Sequence, residues 1–262
     1  MRVLDEEQIK LKGEILCAMG TAMAKCGAET RLILNSTEQL AKSFQLSHCE
    51  LNLSRSQMTV SISEGGERFY FSGKIPAFGI NMSALTALNR VCLDIIEGKL
   101  TNLVAIKELI LNLQGKTYGK CKLVVIESLA ASAFAYLNGG DLKVAIAAFL
   151  GGLVLMSVRF SLIKSGFFPV FAFMCAAFFG CTTAFIASGF LLDAVYSETK
   201  LAVMATTLLL VPGYPLMNGF LDVFKGYLET GIFRLQHAAV LTMAAATGLL
   251  GAMSLTAWIY NV

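Results

Sequence analysis

Apolar positions recur at helical spacing over residues 4–25 and again over 29–45, and "CGAET" at 26–30 parts the two runs. Gly27 closes the first helix and the second begins with an acid in its first turn, so the pattern predicts a helical hairpin. After it, "CELNLS", "QMTVSIS" and "ERFYFSG" alternate apolar and polar residues, with "EGGE" as a turn between the last two. These runs predict a three-stranded meander. Two further helices, at about 81–98 and 101–114, complete an α+β domain.

Beyond residue 120 the apolar runs lengthen to about 20 residues, enough to cross the hydrocarbon core of a bilayer. Five spans are expected, at approximately 121–138, 142–160, 167–191, 200–222 and 235–260. "PGYP" interrupts the fourth. Pro212 and Pro215 remove backbone donors and Gly213 loosens the chain, and broken helices of this kind line substrate and ion sites in secondary transporters. Asn218 and Asp222 stand four apart, on one face of the half-helix that follows. The expected substrate or ion path is therefore Pro212, Gly213, Pro215, Asn218 and Asp222, with Asp222 as the candidate proton carrier. Two plainer readings compete: a proline kink with no role in binding, and an Asp222 that sits at the cytoplasmic surface with Lys225 and Glu229.

Composition agrees with a membrane protein: 56% of the 262 residues are hydrophobic, 15% are charged, and the mean hydropathy is +0.66. Residues 1–120 hold 14 Lys+Arg and 12 Asp+Glu, whereas 121–262 hold only 7 and 6, which puts the boundary between a soluble domain (1–118) and a membrane domain (119–262). The start, "MRVLDEEQIKLKGE", mixes acids and bases where an export signal needs a basic patch and an apolar core, so the first domain is expected in the cytoplasm. Loop charges agree. With the first span running outward, Lys116, Lys120, Lys122, Arg159, Lys164, Lys225 and Arg234 lie inside, and only Lys143 and Lys200 outside. The amino terminus is then cytoplasmic and the carboxyl terminus periplasmic. Small residues four apart, Ala147/Gly151, Ala148/Gly152, Ala176/Gly180 and Ala244/Gly248/Ala252, predict close helix packing, within the bundle by preference and against a second subunit as the alternative.

Other chemistries find little support. A net charge of +3, evenly spread, argues against a nucleic-acid partner. Seven scattered cysteines and two distant histidines give no metal-ligand spacing, and neither a metal nor a cofactor is expected. Asp141, Asp193, Asp222 and His237 are not paired at a catalytic spacing, so the chain reads as a transporter rather than an enzyme. Lys225 and Arg234 are candidate anion-attracting groups, although basic loop residues commonly serve only to set topology. Asp141, in "NGGD" at 138–141, is a candidate gate or a plain helix cap.

The segments "CGAE" (26–29), "GINM" (79–82), "NGGD" (138–141), "LLLVPGYPLMNG" (208–219) and "DVFKG" with "TG" (222–231) run through nearly the whole chain. On them the sequence resembles the threonine/serine exporter family, and more closely its split-subunit form, the bacterial inner-membrane subunit associated with succinate export. The resemblance implies secondary export of a small carboxylate or amino acid, with succinate or another dicarboxylate ahead of threonine and serine. It also implies a smaller multi-span membrane partner that supplies the second half of full-length members. Gly27 and Glu29 are carried over as motif residues of unassigned role. The alternative is a membrane-anchored sensor or assembly factor whose cytosolic domain binds a ligand or partner.

Overall fold

The computed structural model describes residues 2–46, 48–76, 79–191 and 196–260, so Asp193 lies outside the described residues. The chain is mostly helical and divides into two compact units. The first joins Met1–Thr117 to Met217–Leu235, and the second joins Tyr118–Leu216 to Gln236–Val262. The first unit thus takes in the end of the expected fourth span, the loop after it and the first residue of the fifth.

In the first unit, helices α1 (Arg2–Lys25) and α2 (Thr30–Ser43) form the predicted hairpin. Strands β1 (His48–Leu53), β2 (Gln57–Glu64) and β3 (Glu67–Lys74) follow as an antiparallel meander in the order β1-β2-β3. The β2–β3 turn needs positive φ at both central residues, and Gly65 and Gly66 adopt φ of 61° and 86° without a Cβ to oppose it. Met58, Val60 and Ile62 alternate inward from β2 and meet Ile15, Leu16 and Met19 of α1 in one core. Helices α3 (Met82–Ile96) and α4 (Leu103–Asn112) add Leu88, Cys92, Ile106 and Ile110 to it.

The second unit contains α5 (Lys120–Leu137), α6 (Leu142–Lys164), α7 (Pro169–Ile186), which continues as a π-helical stretch Ala187–Leu191, and α8 (Tyr196–Thr207), which ends in the 3-10 turn Leu208–Leu210. Helix α9 (Gly213–Phe224) begins here and α10 (Leu228–Tyr260) ends here. Among the described residues three helices are long and apolar enough to cross a membrane: Leu142–Lys164, Pro169–Gly189 and Leu228–Trp258. A fourth is reached if Thr199–Leu210 and Gly213–Phe224, bent by 57° at the proline break, count as one span. The predicted first span exists as α5, but Lys120, Lys122 and Glu127 within its 18 residues leave it short of that standard.

Packing in this unit uses the small residues foreseen for it. A Cβ on Gly151 would stand 2.9 Å from the Gly180 carbonyl oxygen, and one on Gly248 would overlap that of Met174. These approaches close α6 on α7 and α7 on α10, so the faces offered as a subunit contact are engaged within the chain.

Candidate functional site

The charged residues of the broken-span region meet the α1–α2 corner, inside the first unit. Two turns of the same kind build the meeting. Helix α1 ends in a Schellman motif: Ala28 N–H donates to Met23 O (3.1 Å) and Gly27 N–H to Ala24 O (3.0 Å), with Gly27 at φ 92°. Helix α9 ends likewise, with Tyr227 N–H donating to Asp222 O (2.8 Å), Gly226 N–H to Val223 O (3.0 Å), and Gly226 at φ 88°. Gly219 and Gly231 then let α9 and α10 approach closely. A Cβ on Gly231 would stand 2.9 Å from Gly219 O.

The corner's polar groups are read one after another. Gly79 N–H and Asn81 N–H donate to the carbonyls of Lys25 and Cys26, both at 3.0 Å. Asn218 Nδ2 donates to Gly27 O (2.9 Å) and Arg234 Nη2 to Ala28 O (2.8 Å). Lys225 Nζ bridges both oxygens of Glu29 at 2.7 and 2.6 Å. Asp222 accepts from Thr30 N–H at Oδ1 (3.0 Å) and from the Thr30 hydroxyl at Oδ2 (2.8 Å), while Arg234 Nε stands 3.4 Å from Oδ2. The Thr230 and Thr30 hydroxyls lie 3.0 Å apart. Arg55 stacks 4.2 Å above the ring of Phe233 in α10.

Asp222 therefore performs for α2 what a local N-cap usually does. The residue in the cap position, Glu29, makes no side-chain cap bond, and its carboxylate is held by Lys225 instead. An anion at a helix amino end satisfies an orphan N–H and favours the helix dipole, and Asp222 supplies it from 192 residues away. Asp222 is wholly buried and Arg234 nearly so (4% exposed), whereas Lys225 and Glu29 keep about a quarter of their side-chain surface. Burial pushes the neighbouring Cys26 thiol above its ordinary value.

Of the residues singled out in the sequence, Gly27, Glu29, Asn218, Asp222, Lys225 and Arg234 come together here. Pro212, Gly213 and Pro215 belong to the second unit, before and within the first turn of α9, where a missing N–H breaks no intrahelical bond. Asp141 also belongs to that unit. It is exposed and caps α6, accepting from Val144 N–H at 2.9 Å. Thr30 and Thr230 were not foreseen as site residues, because a lone threonine beside a motif carries no spacing signal. Among the described residues no cluster could hold a metal ion.

This convergence joins four of the segments on which the resemblance rests. A sequence profile described as "Putative threonine/serine exporter" matches residues 14–256. The chain belongs to the threonine/serine exporter family. It is thus a membrane protein of a transporter family. It is 30% identical over 249 residues to the "Probable succinate transporter subunit YjjP" of Klebsiella aerogenes, covering 93% of this chain and 92% of that one. It is 27% identical over 257 residues to the protein of the same name from Escherichia coli K12, covering 97% and 98%. No solved structure matches it.

Proposed function

We propose that this exporter-family chain is one subunit of a secondary transporter that moves a small carboxylate out of the cytoplasm. Succinate or another dicarboxylate comes first and threonine or serine second, after the names of the relatives and of the family. The reading includes a smaller multi-span membrane partner, five spans in the bacterial inner membrane, a cytoplasmic amino terminus and a periplasmic carboxyl terminus.

The observation that carries it is the buried Asp222–Arg234 pair on the two helices that follow the proline break. Charges buried beside apolar helices are costly, and where they persist they mark ion and substrate paths. In this reading Pro212, Gly213 and Pro215 are the hinge from which α9 departs, and Asn218 and Asp222 face the path. Lys225 and Arg234 hold the corner and draw the anion, and Asp141 stands at the outer mouth.

The test is efflux of labelled succinate and labelled threonine from cells expressing the chain with its partner, wild type against Asp222→Asn. We expect wild type to export at least one of them, and the folded variant to lose most of that flux or its dependence on pH. Absence of export of either by wild type sinks the reading. Attention would then pass to the sensor alternative, for which the first unit offers a cavity of about 810 Å³ lined by Thr21, Lys25, Lys74 and Lys107.

A further inference from the structure

A second charge, half-buried, lies in the membrane bundle and has no part in the corner just described. Arg159 sits five residues before the end of α6, about 7.5 Å along the helix from Lys164. Among the described residues its buried Nε has no hydrogen-bond partner, and its Nη1 reaches only the Met156 sulfur, at 4.0 Å. The guanidinium lies over the Phe173 ring at 4.6 Å, with Phe160 at 6.0 Å. Glu127 of α5 is near enough to act on it as a counter-charge, yet no direct ion pair joins the two among the described residues. Glu127 is seven residues, about 10 Å, from the start of α5, and Phe173 is four residues, about 6 Å, from the start of α7. In the proposed topology all three sit at similar depth behind the cytoplasmic ends of α5, α6 and α7, where Lys120, Lys122 and Lys164 make the rim positive.

A guanidinium has five N–H donors in one plane. Stacking on Phe173 covers a face and leaves the donor edge, which matches the two oxygens of a carboxylate. A thioether is a weak acceptor, so no described residue of the bundle satisfies that edge as an anion would. We propose that Arg159 is the residue that recognises the carboxylate of the transported substrate on the cytoplasmic side, and that Glu127 competes for it. The aromatic floor fixes the guanidinium plane, and the carboxylate docks edge-on. Glu127 then keeps the anion from binding too tightly to move on. This assignment rests on the exporter reading above.

The experiment uses inside-out membrane vesicles from cells whose own gene copy is replaced by wild type, Arg159→Lys, Arg159→Gln or Glu127→Gln. These vesicles expose the cytoplasmic face, so uptake of labelled succinate or threonine gives KM directly. Arg159→Lys keeps the charge and loses the fork, and its KM should rise tenfold or more with maximal rate within about twofold. Arg159→Gln should lose saturable uptake, and Glu127→Gln should lower KM. If Arg159→Gln is absent from the membrane, the other two variants decide. Wild-type KM in Arg159→Lys, or an unchanged or raised KM in Glu127→Gln, overturns the assignment and leaves the exporter reading intact. Wild-type vesicles that take up neither compound sink the exporter reading itself.

Discussion

Asp222 and Lys225 both bring charge to the 27–30 corner, but burial separates their weights. Lys225 and Glu29 remain partly solvated, and such pairs contribute up to about 1 kcal/mol. Asp222 is fully buried against Arg234, and removing one member of a buried pair costs about 3–5 kcal/mol because the other charge is left without compensation. We therefore expect Asp222→Ala to lower stability several times more than Lys225→Ala, as read by denaturant or thermal melts in detergent. The exchange Glu29→Lys with Lys225→Glu should recover most of the stability that either single change loses. A Lys225→Ala variant as damaged as Asp222→Ala would contradict this ranking. The sequence exposed part of this site. Asn218 and Asp222 were legible because four-residue spacing sets them on one face, and Gly27 because a glycine after a helical run marks its end. Their common target was not legible: the corner is recognised through carbonyls and an N–H, which have no letter in a sequence, and from almost two hundred residues away.

At the scale of elements, helical and two-residue periodicities gave the hairpin, the meander and the membrane helices, since burial on one face imposes those periods. Boundaries fared less well. Helix α10 starts at Leu228 and not at 235, because Glu229 and Arg234 are polar yet helical, and Arg234 finds its partners inside the first unit. The glycine approaches make a sharp element-scale prediction. Gly248→Ala drives a methyl into a backbone carbonyl that has no rotamer to yield, so α7 and α10 must separate, at a cost of about 1–3 kcal/mol. Gly119→Ala has open space around it and negative φ, so it should lose less, only what an alanine costs at the N-cap of α5, and serves as the comparison. Melting temperatures of the two variants in detergent check the pair, and equal values would contradict the packing.

For the whole molecule, orientation in the bilayer is the property on which the proposed direction of transport depends. Cys121 is exposed in the first turn of α5, beside Lys120 and Lys122. In a variant that keeps only this cysteine, a membrane-impermeant maleimide should label inside-out vesicles and spare intact spheroplasts. The reverse pattern would invert the topology and place the Asp222 corner outside. The cap that Asp222 gives to α2 also bears on how the chain is made. Helix α2 is among the first elements to leave the ribosome, while its capping carboxylate follows 192 residues later. At roughly 5–20 residues per second that is a delay of about 10–40 s, during which the helix start has no anion and Glu29 has no lysine. The amino-terminal unit is therefore completed only after most of the membrane helices have been synthesised, and its last bonds report that the broken span has arrived.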